Sequence, residues 1–126
     1  MDADCIFCKI IRGEIPLYTI YTDEETIAFL DINPHSQGHV LVAPKRHSKN
    51  IYDIDEDNLS RTTLVVKKIA NQIKKVLLPD GITIGQNNEV AGGQEIFHTH
   101  FHIIPKYTTE QGRLDLDEIQ KILEFK

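Results

Sequence analysis

Short apolar runs separated by turn-forming residues fill the first third of the chain, and apolar residues recur at helical spacing in the middle third. Three runs rich in β-branched and aromatic residues predict strands near residues 17–22, 26–32 and 39–44. The connections between them are too short for a parallel crossover, so these strands are expected to run antiparallel. Two further strands are predicted near residues 82–87 and 95–104.

One long helix is predicted over residues 54–78, because apolar residues recur there at spacings of three, four and seven. Asp53 with Glu56 is expected to form a capping box at its start, and the Pro-Asp-Gly sequence at 79–81 ends it. The apolar positions of this helix are Leu59, Val66, Ile69, Ala70, Ile73 and Leu77.

A short helix is predicted at each end of the chain. The first covers residues 5–12 and is ended by Gly13 and Pro16. Asp115 with Glu118 is expected to cap the last helix. The order of strands, long helix and strands, with short connections, predicts an α+β fold with an antiparallel sheet. The apolar positions of the last helix are Leu116, Ile119 and Leu123.

Length and charge narrow the class of protein. The chain has 126 residues and a formal net charge of −5, and its length predicts a single domain over residues 1–126. An acidic chain without a run of Lys or Arg is a poor candidate for binding nucleic acid. Without a membrane-length apolar stretch or the features of a signal peptide, we expect a cytoplasmic protein with no membrane partner.

The two cysteines, Cys5 and Cys8, form a C-x2-C pair. A secreted disulfide scaffold would use more cysteines at wider spacing. In a reducing compartment the pair fits either a metal clip or a redox pair, and two ligands alone do not define a metal site.

Three of the six histidines alternate along one predicted strand: His98, His100 and His102. A strand has a period of two residues, so these side chains are expected to share one face and to span about 13 Å. Such regular alternation is poorly explained by packing alone. The opposite face, packed under the helix, would hold Phe97, Thr99, Phe101 and Ile103.

Two kinds of chemistry fit this histidine pattern. Paired imidazoles on a strand can bind Zn²⁺ or Fe²⁺, and a neutral imidazole can attack phosphorus while a neighbour donates hydrogen bonds or a proton. The preceding Gly92-Gly93 pair allows close backbone approach to a ligand, and its N–H groups could hold a phosphate. Asn87 and Gln94 add neutral donors nearby, which favours phosphate chemistry.

The histidine strand resembles the H-φ-H-φ-H-φ-φ motif (φ apolar) of the histidine triad, or HIT, superfamily. The resemblance extends over CIFCKIIRGEIP at residues 5–16, FLDINP at 29–34 and GHVLVAPKRH at 38–47. The overall pattern is most similar to the Hint-like branch of microbial members. This resemblance implies the HIT fold, with one five-stranded antiparallel sheet.

The resemblance also implies a substrate and roles for individual residues. The substrate would be a purine nucleoside phosphoramidate or an acyl- or aminoacyl-adenylate, cleaved through a nucleotidyl-histidine. His100 would be the nucleophile, His102 would hydrogen-bond the phosphate or leaving group, and His39 would orient the triad from behind. Asp31 would bind the ribose hydroxyls. The phosphate pocket would be lined by Asn87, Gly93 and Gln94, and the purine slot by Phe7, Ile10, Phe29, Ile32 and Leu41.

Some Hint-like members bind a structural zinc, and the resemblance implies one zinc per chain here, held by Cys5, Cys8, His47 and His98. It further implies a homodimer with joined sheets. Glu95 stands where many relatives carry Ser, and strand alternation predicts that it faces away from the histidines. Three alternatives remain open: a dinucleoside polyphosphate hydrolase of the Fragile-HIT type, a non-enzymatic nucleotide-binding partner, and an enzyme whose metal is held by the three histidines of the triad.

Overall fold

A computed structural model describes residues 4–125 of the chain. The chain folds into one five-stranded sheet with three helices around it. The α+β class and the single antiparallel sheet are therefore confirmed. In chain order the elements are α1 (Ile6–Ile11), β1 (Thr19–Thr22), β2 (Thr26–Leu30), β3 (Val40–Pro44), α2 (Glu56–Leu77), β4 (Gly81–Gly85), a 3-10 turn (Val90–Gly92), β5 (Phe101–Lys106) and α3 (Leu116–Leu123).

The strands lie in the order β1-β2-β3-β5-β4, and every neighbouring pair is antiparallel. The register places Phe29 opposite Leu41, Leu41 opposite His102, and His102 opposite Gly85. Because residues opposite one another point to the same face, these four form one row across four strands. A histidine thus lies in the same row as buried apolar side chains.

The two faces of the sheet carry different partners. The long helix α2 packs against one face, where Leu30, Val40 and Ile103 meet Ile69 and Ile73 in the main core. The short helix α1 packs against the opposite face and forms a second cluster with Phe29 and Leu41. Since α1 is only six residues long, much of this second face is left for a cavity.

The long helix begins two residues later than predicted, and its cap differs. The side chain of Asp55 accepts a hydrogen bond from the N–H of Asn58, so Asp55 is the N-cap. The expected capping box of Asp53 with Glu56 is wrong. The Asp53 carboxylate instead accepts hydrogen bonds from the N–H groups of Lys49 and Asn50 and closes the preceding turn.

The predicted strand 95–104 is mostly irregular, because β5 begins only at Phe101. Three hydrogen bonds tie the preceding segment to the end of β3 and to the loop after it: His98 Nε2 to the carbonyl of Pro44, the Thr99 N–H to the carbonyl of Ser48, and the Gln94 amide to the carbonyl of Lys49. His98 therefore lies outside the strand, with its ring against Phe7 of α1 on the cavity side of the sheet.

The opposite side of this segment also differs from the prediction. Phe97 is 38% exposed and lies under the ammonium of Lys49 rather than under the helix. Thr99 is fully buried, with its hydroxyl hydrogen-bonded to that of Ser48. Only Phe101 and Ile103, which lie inside β5, pack against the core as expected.

The end of the chain completes one edge of the sheet. The predicted capping box of Asp115 with Glu118 is confirmed at the start of α3. Beyond this helix the N–H of Phe125 donates to the carbonyl of Ile20 at 2.9 Å, and α3 covers β1. Within residues 4–125 no helix has the length and apolar character needed to cross a membrane.

Candidate functional site

A cavity of about 670 Å³ lies on the sheet face opposite α2. It has an apolar part between α1 and the sheet, and a polar part where residues 85–102 meet the loop after β2. Its volume is in the range of small-ligand pockets. The predicted site residues that line it are Phe7, Ile10, Phe29, Asp31, Ile32, Leu41, Asn87, Gly93, His100 and His102.

The apolar part is built from side chains that are also core residues. Phe7, Ile10, Phe29 and Leu41 are all less than 9% exposed and belong to the second core cluster. The rings of Phe7 and Phe29 meet edge to face with centroids 5.3 Å apart. Ile32 is 58% exposed and stands at the mouth. A flat apolar group could therefore enter a slot whose walls are fixed by packing.

Asp31 follows directly after β2 and faces both the turn and the cavity. One carboxylate oxygen accepts a hydrogen bond from the N–H of Asn33 at 2.9 Å, which is an Asx turn. The other lies 3.6 Å from Nε2 of His39. Because each carboxylate oxygen can accept more than one hydrogen bond, Asp31 retains acceptor capacity toward a ligand.

The tautomer of His100 is fixed by the backbone. Nδ1 lies 2.7 Å from the carbonyl oxygen of His98, and a carbonyl only accepts, so Nδ1 carries the proton. Burial lowers the pKa of His100, which keeps the ring neutral. Nε2 of this cavity-lining ring consequently holds a free lone pair. This is the state that a nucleophilic imidazole requires.

His39 and His102 are joined in a chain of hydrogen bonds. The N–H of His35 donates to Nδ1 of His39, so Nε2 of the neutral His39 carries the proton and donates to Nδ1 of His102 at 3.0 Å. The remaining nitrogen of His102, Nε2, then carries a proton. Burial lowers the pKa of His39 to about 4 and also lowers the pKa of His102. His102 is therefore a neutral donor beside His100, with ring centroids 5.0 Å apart.

No pattern in the sequence indicates the role of His35 in this arrangement. Its side chain lines the cavity, and its backbone N–H determines the tautomer of His39. His35 belongs to no periodic pattern and lies in a loop. Only the folded loop brings it to His39.

The backbone of the Gly-Gly-Gln segment does not offer its N–H groups to a phosphate, contrary to expectation. The N–H groups of Gly92 and Gln94 donate to the carbonyl of Glu89, and that of Gly93 donates to the carbonyl of Val90. All three are used to close the 3-10 turn.

Gly93 is favoured by its backbone conformation rather than by the space a phosphate would need. It has φ +93°, and a Cβ there would make only an ordinary contact, 3.5 Å from Nδ2 of Asn87. The side-chain amide of Asn87 is a donor in the polar part of the cavity.

Gln94 is placed differently from its expected position in the phosphate pocket. Its amide donates to the carbonyls of Lys49 and Ile96, and its amide oxygen accepts from the N–H of Glu89. The side chain is 4% exposed and does not line the cavity. Gln94 therefore joins the 3-10 turn at Val90–Gly92 to the loop that contains Lys49.

Glu95 lines the cavity, so the prediction that it faces away from the histidines is wrong. That prediction assumed strand alternation, and residue 95 lies outside any strand. Glu95 is exposed, and its negative charge acts to raise the pKa values of His100 and His102 against the larger effect of burial.

A second cluster lies behind the cavity and contains the residues predicted to bind metal: Cys5, Cys8, His47 and His98. Their four ligand atoms lie within 4.8 Å of one another. Nδ1 of His98 is 3.3 Å from Sγ of Cys5, 3.6 Å from Sγ of Cys8 and 3.2 Å from Nδ1 of His47. Residues distant in sequence thus present two sulfurs and two nitrogens to one point.

The cluster fits zinc. A tetrahedral zinc site separates two nitrogens by about 3.3 Å and a nitrogen from a sulfur by about 3.6 Å. Nε2 of His98 lies 2.7 Å from the carbonyl oxygen of Pro44, so this nitrogen carries the proton and Nδ1 offers its lone pair to the cluster. Burial lowers the pKa of His98 to about 4, which keeps the ring neutral, as a metal ligand must be.

The orientation of His98 bears on the alternative of a metal held by the whole triad. The lone pair of His98 points toward Cys5 and Cys8, whereas His100 and His102 line the cavity. The three rings therefore do not converge on a single metal position.

The cluster and the cavity share a wall. Phe7 lies between the two cysteines in sequence, and its ring is 5.7 Å from that of His98 and 5.0 Å from that of His100. The position of α1, which a metal in the cluster would fix, therefore determines where the Phe7 ring packs against His100.

Sequence comparison places the chain among known proteins. Residues 12–109 match the HIT domain, and the chain belongs to the HIT family. It is 46% identical over 125 residues to an uncharacterised HIT-like protein of Methanocaldococcus jannaschii, covering 93% of this chain and 96% of that protein. It is 36% identical over 130 residues to the adenosine 5′-monophosphoramidase of Saccharomyces cerevisiae, covering 97% of this chain and 80% of that enzyme.

The fold is shared with solved structures of the same family. A zinc-bound histidine triad family protein from Mycobacterium smegmatis superposes with a TM-score of 0.87 at 32% identity, covering 95% of this chain and 90% of that one. The HIT fold expected from the histidine motif is thereby confirmed.

Proposed function

We propose that this protein hydrolyses purine nucleoside 5′-phosphoramidates, or acyl- or aminoacyl-adenylates, through a covalent nucleotidyl-histidine. The observation that carries the proposal is the neutral His100 with its Nε2 lone pair in a cavity that also holds an apolar slot and a carboxylate. The adenosine 5′-monophosphoramidase of yeast, which is similar over nearly the whole chain, supports the same chemistry.

The three parts of a nucleotide fit the three parts of the cavity. The base enters the apolar slot between Phe7, Phe29 and Leu41. The ribose hydroxyls bind Asp31, because paired hydroxyls match the two acceptor oxygens of a carboxylate. The α-phosphate lies at His100, where the amide of Asn87 stabilises its nonbridging oxygens.

The reaction proceeds by two displacements at phosphorus. In the first, Nε2 of His100 forms a bond to phosphorus and the bond to the leaving group breaks. With a phosphoramidate this is the phosphorus–nitrogen bond, and the departing amine takes a proton from solvent; with an acyl-adenylate it is the phosphorus–oxygen bond, and a carboxylate leaves without a proton. In the second, water forms the new phosphorus–oxygen bond, His100 leaves, and the proton of water is released. Splitting one displacement into two lowers the barrier of each. His102 donates its Nε2–H to a phosphate oxygen or to the departing atom, and His39 holds it in that tautomer.

Zinc would have a structural role in this scheme. Cys5, Cys8, His47 and His98 would hold one ion and join the N-terminal helix to the segment before β5. Bound zinc stabilises the folded chain because its site exists only after folding. Cysteines that form no disulfide are typical of a reducing compartment, and we propose a cytoplasmic location.

We propose a homodimer because, among the described residues, one of the two edges of the sheet is uncovered. α3 and the N–H of Phe125 cover the β1 edge, whereas no element of the described chain pairs with the outer edge of β4. Pairing β4 with a second copy would remove an open strand edge and join the two sheets. Light scattering after size-exclusion chromatography tests this, and a mass equal to that of one 14.4 kDa chain would refute the dimer.

The decisive experiment is a substrate panel with mass spectrometry of the quenched protein. Adenosine and guanosine phosphoramidates, acyl-adenylates and dinucleoside polyphosphates are compared by kcat/KM. We expect the phosphoramidates and the acyl-adenylates to be cleaved faster than the dinucleoside polyphosphates. The quenched protein should gain the mass of one nucleotidyl group, attached to His100. Failure to cleave any of them would refute the enzymatic function, and fastest cleavage of the polyphosphates would favour the Fragile-HIT alternative.

A further inference from the structure

The cavity is acidic, which is unusual for a site that receives a phosphate. Among the described residues that line it there is no Lys or Arg, and two carboxylates, Asp31 and Glu95, are present. The described lining therefore has two acidic side chains and no Lys or Arg to balance them. In the proposed reaction Asp31 binds the ribose, and no role is assigned to Glu95.

Glu95 is available to a ligand. Within residues 4–125 its carboxylate makes no hydrogen bond or salt bridge, whereas Asp31 is bound to the N–H of Asn33. Glu95 is also exposed, so holding a charged carboxylate there has little desolvation cost. The tightly bound Gln94 beside it fixes the backbone from which the side chain projects.

With base, ribose and phosphate assigned as in the proposed function, the leaving group is the part of the substrate that remains for Glu95 to meet. The base slot lies between α1 and the sheet, and Glu95 does not belong to the apolar cluster that forms it. Glu95 lines the same cavity as His100 and His102, where the proposed function places the phosphate. When base, ribose and phosphate are in place, the leaving group is the part of the substrate that extends toward the exposed side of the cavity.

We infer that Glu95 selects substrates by the charge of the leaving group, favouring amines or acyl groups that carry an ammonium and disfavouring those that carry a carboxylate or further phosphates. This inference rests on the proposed function and names the substrate class of that site. The ammonium could belong to the α-amino group of an aminoacyl group or to a diamine, since both present the same charge. Pairing it with Glu95 offsets the repulsion between two carboxylates and an anionic phosphate.

The size of the effect follows from the exposure of Glu95. Exposed ion pairs change binding by a small amount, so one charge on the leaving group is expected to alter kcat/KM by roughly fivefold. An ammonium and a carboxylate should act in opposite directions relative to a neutral group, which gives a ratio of roughly 25-fold between them. Added salt should reduce this ratio, because the groups are reached by solvent.

Three adenosine 5′-phosphoramidates of equal chain length, ending in a hydroxyl, an ammonium or a carboxylate, provide the test. kcat/KM is measured for the wild type, Glu95→Gln, Glu95→Asp and, as an exposed acidic control outside the cavity, Glu110→Gln. We expect the ammonium-to-carboxylate ratio to fall to roughly one in Glu95→Gln, to be retained in Glu95→Asp, and to be unchanged in Glu110→Gln.

The neutral substrate separates failure of the inference from failure of the proposed function. If the wild type cleaves none of the three compounds, the hydrolase itself is refuted, and the inference with it. If the neutral compound is cleaved but Glu95→Gln leaves the charge ratio unchanged, only the role of Glu95 is overturned. An equal loss for all three compounds in Glu95→Gln would likewise overturn selection by charge.

Discussion

The carbonyl oxygen of His98 accepts a hydrogen bond from Nδ1 of His100 at 2.7 Å, while the ring of His98 points to Cys5 and Cys8. One residue therefore contributes to two sites through different atoms. A side-chain substitution at position 98 removes the ring and leaves the carbonyl. The metal site and the nucleophile can thus be tested separately.

The proposed nucleophile is tested by comparing His100→Ala with His98→Ala. We expect His100→Ala to lower turnover on the order of a thousandfold or more, because no other lone pair can reach phosphorus without moving a strand. Binding of a nucleoside monophosphate should be largely retained, since the slot and Asp31 are unchanged. His98→Ala should keep substantial turnover and lose metal. Measurable nucleotidyl transfer by His100→Ala would contradict the assignment.

Loss of His102 is expected to slow turnover more when the leaving group is poor than when it is good. Its Nε2–H is a neutral donor, so its loss should slow cleavage of an alkyl phosphoramidate more than that of an acyl-adenylate, whose carboxylate leaves without a proton. Steady-state rates of His102→Ala on both substrates check this. Equal slowing of the two would indicate that His102 binds the phosphate alone.

The metal cluster is tested by a Cys5→Ser/Cys8→Ser double variant. Purified wild-type protein should contain about one zinc per chain, and the variant should contain none. Loss of the clip should lower the melting temperature by several degrees while turnover persists below it. Metal analysis and calorimetry measure the two effects, with chelated and zinc-restored wild type as the control. Wild type prepared without chelators and found free of zinc would refute the clip.

Asp31 is expected to bind the ribose hydroxyls of the nucleotide. Asp31→Asn should weaken binding of a ribonucleotide by roughly ten- to a hundredfold, because a hydrogen bond to a charged group is worth about 1.5–3 kcal/mol. A 2′,3′-dideoxy analogue should lose much less affinity. Calorimetric titration with both ligands decides, and an equal loss would mean that Asp31 acts only through its turn with Asn33.

The buried His39 predicts a loss of stability in mild acid. The pKa of His39 is lowered to about 4 by burial, whereas the unfolded chain has an ordinary histidine value near 6.5. Between these values the unfolded state binds more protons, so the free energy of unfolding falls as the pH falls through this range.

His39→Gln removes this titration and keeps hydrogen-bonding atoms. Relative to the wild type, the variant should lose less stability between pH 7 and pH 4.5, by on the order of 2 kcal/mol. Urea unfolding at the two pH values measures the difference. Parallel pH dependence in the two proteins would show that His39 titrates normally in the folded state.

The sequence identified the elements whose signals are local. The period of α2, the capping box at Asp115 and the runs that form β1 to β3 depend on neighbours along the chain. The histidine spacing led to the family, and the family pattern indicated residues of the cavity and of the Cys/His cluster before any contact was known.

The sequence could not predict what the segment before β5 does. Strand alternation placed Glu95 on the wrong side, because hydrogen bonds to the distant residues Pro44 and Ser48 keep this segment out of β5. The N–H groups of the glycines were expected to face a ligand, yet they close a turn with the carbonyls of Glu89 and Val90. The first outcome depends on long-range contacts and the second on local backbone geometry, and composition and periodicity encode neither.

The row of Phe29, Leu41, His102 and Gly85 has a consequence for how the protein tolerates insertions. If β5 slipped by one residue against β3, every side chain on it would change face. His102 would enter the core beneath α2, and Ile103 would enter the cavity in its place. Such a change would break the packing and the chemistry together. Selection for a folded chain alone therefore maintains the alignment of His102, and changes of length are confined to the loops outside the strands.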